Sequence, residues 1–293
     1  MHDERRQRVM RSSTQVPEAG TGQTTPPLIQ LNGLAKRFDD PDGGTRVVVD
    51  HFDLEVRPGE FCVLIGPSGC GKSTVLSMIA GLERPSSGTI LADGVKLTGT
   101  DPRTGFVFQN DAVFPWKTVL ANVAAGPRFR GAGRGEAIEL AYQWIERVGL
   151  GGFEKHYPYQ LSGGMRKRVA LAQTFVNQPG ILLMDEPFSG LDSQTRQIMA
   201  DELLGLWESL GSTVLFVTHD LEEAITLADR VVVLTSRPAT VKQEFRVDLP
   251  RPRARDIRFL PRFVELHEEI WSSLSDEVKT AYEQTTAQAV SGR

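Results

Sequence analysis

The chain has 293 residues, with 33 Lys and Arg against 37 Asp and Glu and a formal net charge of −4, which argues against the basic footprint of a nucleic-acid binder. Hydrophobic residues at 40% and charged residues at 24% match a soluble globular protein with an ample core. The two cysteines, Cys62 and Cys70, fit no metal-ligand pattern and suit a reducing cytosol, and no apolar run reaches the length of a membrane helix.

Residues 1–27 are polar, rich in Thr, Gly, Gln and Pro, and read as a disordered leader. The opening Met1-His2-Asp3-Glu4-Arg5-Arg6 has no apolar segment after it and is not expected to be a secretion signal. Two strands are predicted over 28–38 and 46–56, separated by the turn-rich residues 39–44. Pro58-Gly59-Glu60 turns the chain into residues 61–65, five apolar positions that read as a buried strand. A helix with Leu76, Ile79 and Ala80 at helical spacing is expected over 74–82. A short strand follows over 89–92, closed by the hairpin signal Asp93-Gly94.

Residues 104–108 form another apolar strand, ending at Gln109. Residues 118–125 and 136–148 have helical periodicity, joined by a flexible link over 126–135, and 110–164 read as an inserted helical subdomain. Leu161-Ser162-Gly163-Gly164 opens a helix striped by Met165, Val169, Ala172 and Val176. Residues 181–184 are a fully apolar strand running into Asp185-Glu186-Pro187, and a long amphipathic helix follows. A further buried strand, 213–217, ends in Thr218-His219-Asp220, where Asp220 and Glu223 suit a helix cap and its reciprocal partner.

Residues 231–235 are read as the last core strand. Residues 246–262 then hold six arginines, two aspartates and three prolines, which reads as a solvated linker, or alternatively as a stretch lying near anionic lipid. One amphipathic helix ends the chain, with Phe263, Leu266, Ile270 and Leu274 on one face. Strands alternating with helices indicate an α/β fold with a mainly parallel sheet covered on both faces. The main domain is expected over 28–250, with the basic linker and C-terminal helix over 251–293.

The chemistry starts at Gly66-Pro67-Ser68-Gly69-Cys70-Gly71-Lys72-Ser73-Thr74. Its first eight residues fit G-x-x-x-x-G-K-[ST] between a strand and a helix, the context a phosphate-cradling loop needs. Its glycines let N–H groups turn around an anion, and the helix N-terminus adds partial positive charge. Lys72 is expected on the β- and γ-phosphates and the Ser73 hydroxyl on Mg²⁺. Asp185, at a strand end, would also hold Mg²⁺, and Glu186 would face the attacking water as base or as its orienting acceptor. Gln109 could ligate the metal and touch the water, and His219 could reach the γ-phosphate. Each of these residues has a bland reading as a charged turn or a structural side chain; convergence of several strand ends on one sheet edge favours the chemical one. Ser162, Gly163 and Gly164 make a second anion site at a helix start. With one phosphate loop already present, that second site is expected to serve a nucleotide held by another copy.

Taken together, these residues resemble the ATP-hydrolysing subunit of an ABC transporter. The family's Walker A lies at residues 66–74, its Q-loop at Gln109, its signature at 161–165 and Walker B at 181–186. The D-loop is Ser189-Gly190-Leu191-Asp192 and the switch histidine is His219, so the resemblance spans roughly residues 28–245. It implies a P-loop ABC ATPase domain with a RecA-like core and a small antiparallel β subdomain, ATP and Mg²⁺ as cofactors, and Phe38 stacked on adenine. It also implies that Asp192 is at the nucleotide seam and that the subunit forms a head-to-tail dimer, with itself or with a paralogue, under membrane permease subunits, with a solute-binding protein as indirect partner. Met165 departs from the usual Gln, Gln173 from a common Arg and Phe38 from the more frequent Tyr; none is expected to abolish hydrolysis.

Phe114-Pro115-Trp116, Met165-Arg166-Lys167-Arg168 and residues 262–271 resemble the importer group for nitrate, sulfonates, taurine and related small anions, whose members also carry bicarbonate, pyrimidines or aromatic acids, so the resemblance does not fix the cargo. That resemblance implies a peripheral subunit on the cytoplasmic face of the membrane. A soluble ABC ATPase of DNA repair or translation remains the alternative, although such proteins usually carry a coiled-coil arm or a second cassette.

Overall fold

The computed structural model describes residues 26–39, 43–253 and 255–291. The leader expected over 1–27 lies outside them as far as residue 25, as do residues 40–42 of the expected turn. Strands β1 (Ile29–Asp39) and β2 (Thr45–Val56) pair antiparallel with Phe38 opposite Arg46. Strand β3 (Phe61–Ile65) leads through the glycine loop into helix α1 (Lys72–Ile79). Strands β4 (Ser87–Ala92) and β5 (Val95–Lys96) meet at Asp93-Gly94, both at positive φ as that turn demands.

After β6 (Thr104–Val107) come α2 (Val119–Val123), α3 (Ala125–Phe129) and α4 (Arg134–Arg147). Helix α5 (Gly163–Phe175), β7 (Ile181–Asp185), α6 (Ser193–Leu210) and β8 (Thr213–Thr218) follow. The chain ends with α7 (Leu221–Leu227), β9 (Arg230–Leu234), β10 (Val241–Arg246) and α8 (Pro261–Ser291).

Among the described residues the strands form two sheets. One is antiparallel in the order β2-β1-β4-β5. The other runs β10-β9-β3-β8-β7-β6 and is parallel except for β10. Successive strand residues point to opposite faces. Phe61, Val63 and Ile65 therefore enter a core shared with α2 and α4–α8, whereas Cys62 and Leu64 enter a second core with α1 and the antiparallel sheet. Burial on both faces is why β3, β7 and β8 read as unbroken apolar runs. The tail helix presents Phe263, Leu266, Ile270 and Leu274 to the first core, each at most 4% exposed, as its spacing predicted. No helix among the described residues is long and apolar enough to cross a membrane.

Three expectations need correction. The link over 126–135 is partly helical: Ala124 closes α2 and opens α3, and Pro127 sits in α3's first turn, where its missing N–H costs nothing. Gly126 packs so closely on Asn177 that a Cβ there would collide with the side-chain amide. The stretch 231–235 is not the last strand of the sheet, because β10 adds an antiparallel edge. In β10 only Phe245 is buried and Val241 partly so, too little alternation to announce a strand. Finally, the basic stretch before α8 is not a solvated linker. Arg253 is 8% exposed and donates to the carbonyls of Ile225 (3.0 Å) and Thr226 (2.8 Å). Arg251 binds Asp229 and the Leu227 carbonyl, and Arg262 pairs with Asp248, Glu265 and Glu269.

Candidate functional site

Four neighbouring strands, β3, β8, β7 and β6, run parallel and so end at one edge, where open α/β sheets bind ligands. The residues that follow them meet there. After β3 the loop turns at Gly69 (φ 75°) and Gly71 (φ 129°), and a Cβ on Gly71 would come within 2.9 Å of the Val48 carbonyl. Glycine is what lets the loop lie this close to β2. Lys72 is buried, and its Nζ donates to the carbonyls of Gly66 (2.8 Å) and Pro67 (2.9 Å). Those two loop carbonyls are thus drawn onto a cation.

The Ser73 hydroxyl donates to Asp185 Oδ1 at 2.9 Å, joining the start of α1 to the end of β7. Burial pushes the Asp185 carboxyl up, Ser73 pulls it down, and the neighbouring Glu186 charge adds to the rise. Two hard oxygen donors beside excess negative charge fit a small divalent cation of the Mg²⁺ type. Among the described residues no group of three His, Cys, Asp or Glu is arranged to hold a metal ion by itself. Mg²⁺ ordinarily takes one or two carboxylates plus phosphate and water oxygens.

Glu186 lies at the centre of the edge. Its Oε2 accepts from Gln109 Nε2 at 3.3 Å, beyond β6, and lies 3.0 Å from His219 Nδ1, beyond β8. Its backbone sits at φ 43°, in the left-handed region that a long side chain avoids, held by hydrogen bonds from its N–H to Val217 O and from Ser189 N–H to its own carbonyl. Strain of this kind persists only where the surroundings enforce it, and it concentrates at working sites.

A cleft of about 450 Å³ opens over this edge. It is lined by Phe38, Ser68, Gly69, Gly71, Lys72, Ser73, Thr74, Gln109 and Glu186, all expected from the sequence. Arg46, Val48 and Arg237 also line it and were not foreseen. The antiparallel pairing of Phe38 with Arg46 could have signalled the first two; nothing local marks Arg237. Gly66, Pro67 and Cys70 are buried behind the cleft rather than lining it. A Cβ on Gly66 would meet Cys70 Sγ and Leu234 Cβ, and burial pushes the Cys70 thiol up.

Ser162, Gly163, Gly164 and Asp192 lie outside this chain's own cleft. Ser162 caps α5 by accepting from Met165 N–H, and Asp192 caps α6 through Thr195. The two helix starts adjoin, since a Cβ on Gly164 would stand 3.3 Å from Thr195 Cγ2. Asp220 caps α7 as predicted, but the reciprocal role of Glu223 is not realised. The Asp220 N–H donates to Thr218 Oγ1 instead, and Glu223 is buried with Oε1 lacking a hydrogen-bond partner.

Residues 49–189 match the family model described as ABC transporter. Over 252 residues the chain is 48% identical to an uncharacterized ABC transporter ATP-binding protein of Methanocaldococcus jannaschii, an alignment covering 85% of this chain and 92% of that one. The chain belongs to the ABC transporter family. It is also 42% identical over 237 residues to a nitrate import ATP-binding protein of Synechocystis sp., covering 79% and 89% of the two chains. A dimeric ATP-binding cassette solved in a post-hydrolysis state with ADP and Pi has the same fold, with a TM-score of 0.67 at 33% identity over 75% of this chain and 98% of that one.

In this ABC transporter ATPase the signature helix and the Q-loop are physically tied. Lys167, on α5, donates to the Gln109 carbonyl at 2.5 Å and pairs with Asp111 at 3.2 Å, while Arg166 reaches the other Asp111 oxygen at 3.1 Å. Beyond it, buried Asn122 bonds the backbone of Phe114, Lys117 and Thr118. The loop so pinned displays Trp116, 71% exposed, which places it outside the core.

Proposed function

We propose that this chain is the ATP-hydrolysing subunit of an ABC importer for a small anion of the nitrate, sulfonate or taurine kind. It would act as a head-to-tail pair on the cytoplasmic face of the membrane, beneath permease subunits that a solute-binding protein supplies. The observation that carries this reading is Glu186, strained at φ 43° and touched by both Gln109 and His219 beside the phosphate loop.

ATP enters with adenine against Phe38 and its phosphates on the N–H groups of the loop and the start of α1. Lys72 then exchanges its two carbonyl partners for phosphate oxygens. Ser73 and Asp185, with Gln109, would hold Mg²⁺, which when bound neutralises charge on the β- and γ-phosphates. Glu186 accepts the proton of the attacking water, and Gln109 and His219 orient that carboxylate and the γ-phosphate. Ser162, Gly163, Gly164 and Asp192 of the second copy close over the nucleotide and add positive helix-end charge. The exposed loop at Trp116, continuous with Gln109, is assigned to the permease. The nitrate-import relative and the motifs at residues 114–116, 165–168 and 262–271 support the class of cargo.

Glu186→Gln should keep ATP binding and lower phosphate release by about 10²–10⁴-fold, the usual worth of a positioned base. Near-normal turnover in the purified variant would remove Glu186 from this role.

A further inference from the structure

The turn between β9 and β10 reaches the phosphate loop from one side and the C-terminal helix from the other. Arg237 donates from Nε (3.2 Å) and Nη2 (2.6 Å) to the carbonyl of Gly69. Two residues on, buried Ala239 packs beneath the same loop: its N–H donates to Val48 O, and a Cβ on Gly71 would stand 3.1 Å from its own Cβ. Toward α8, the Ser236 N–H donates to Glu277 Oε2 at 2.7 Å, and the Arg237 carbonyl accepts from Gln284 Nε2 at 3.4 Å. Lys242 locks this contact by pairing with Glu277 at 2.8 Å and donating to the Ser273 carbonyl at 2.8 Å.

A loop that holds phosphates must turn its N–H groups inward and its carbonyls outward, because a carbonyl facing the phosphates would repel them. Lys72 draws away the carbonyls of Gly66 and Pro67; the Gly69 carbonyl is drawn away by Arg237. The peptide plane is rigid, with its C=O and N–H pointing in opposite directions. Holding the Gly69 carbonyl therefore fixes the direction of the Cys70 N–H as well, which donates to the Pro67 carbonyl at 3.3 Å and closes the loop's own turn. Gly69, at φ 75° without a side chain, has little of its own to resist a flip of that peptide.

We infer that Arg237 is a positioning residue for the phosphate loop and that α8 holds it in place through Glu277, so that the C-terminal helix sets the affinity of the site for a nucleoside triphosphate. This rests on the cleft being the ATP site. The helix acts at one remove. Glu277 satisfies the Ser236 N–H, and with that donor occupied the turn presents the Arg237 guanidinium to the loop. The same arginine lines the cleft, so its charge also lies beside bound phosphates.

The test uses the full chain, with a fluorescent ATP analogue for binding and phosphate release for turnover. Arg237→Ala should raise both the analogue Kd and the KM for ATP about tenfold, the worth of one charge-assisted hydrogen bond, with most of the loss in kcat/KM falling on KM. Arg237→Lys should recover part of that loss. Glu277→Ala should shift Kd in the same direction, Glu277→Gln less, and the Arg237→Ala/Glu277→Ala double variant no further than Arg237→Ala alone. Unchanged Kd in Arg237→Ala, or a loss confined to kcat, overturns the loop-positioning role. Additive losses in the double variant overturn the link through α8. If the unsubstituted chain binds no analogue, the reading of the cleft itself falls; if it binds and the variants bind equally, only this inference does.

Discussion

At the scale of single residues, burial makes one carboxyl beside the site responsive to pH. Glu223 is 6% exposed on α7, one turn from His219. Burial pushes its carboxyl from 4.5 up to about 7; Thr218 and Arg196 oppose the shift, while Asp220 and Glu186 reinforce it. Between those two values the native chain keeps a proton that the unfolded chain has released. Stability from this group is therefore complete below about pH 4.5 and lost as pH rises through about 7. The full swing is roughly 3 kcal/mol at 1.36 kcal/mol per unit. Glu223→Gln removes the titration, so its Tm relative to the parent chain should climb between pH 5 and pH 8. An equal Tm difference at both pH values would show that Glu223 carries no such burden. The sequence pattern suggested a reciprocal cap here because Asp220 and Glu223 have the right spacing. Spacing does not reveal that the Asp220 N–H is already taken by Thr218.

Elements show the same division between local pattern and long-range contact. The β3 loop, the apolar β7 and β8, and the inward stripe of α8 were legible because each is written in consecutive or periodic residues. Strand β10, the helical turn at Ala125–Phe129 and the arginine strap were not, since each depends on what another part of the chain presents. The strap is the clearest case. A helix C-terminus leaves its last carbonyls unpaired. Those of Ile225, Thr226 and Leu227 on α7 are taken by Arg253 and Arg251, and Arg251 also lies 4.4 Å over the Trp207 ring. Burial lowers the Arg253 pKa to about 10, with Arg251 adding to the fall, so it remains a cation at neutral pH. Arg253→Ala should cost roughly 2–3 kcal/mol in urea unfolding because it strands buried carbonyls. Arg258, which pairs with the exposed Glu222, should cost under about 1 kcal/mol when replaced by Ala. Similar losses in the two variants would mean that the strap is held by apolar packing of Val247, Leu249 and Ile257 rather than by its arginines.

The whole molecule is built asymmetrically about its cleft. Phosphate loop, Glu186, Gln109 and His219 gather on one edge, whereas the starts of α5 and α6 adjoin each other away from that cleft. Ser162 is exposed, and its hydroxyl accepts from Met165 N–H of its own helix. If that helix tip completes the site of a second copy, inactive chains should complement one another. Take one chain with Lys72→Ala and another with Ser162→Arg. In a mixed pair, one nucleotide position combines both defects and the other combines an intact loop with an intact tip. An equal mixture forms mixed pairs half the time with one sound site in two, which predicts roughly a quarter of the parent phosphate release if each site works alone. Placing both substitutions in one chain and mixing it with the parent chain should leave mixed pairs without a sound site. Should the two singly substituted chains stay inactive together and fail to pair on ATP, Ser162 would have to act on its own chain's nucleotide, against the placement of α5 in this fold.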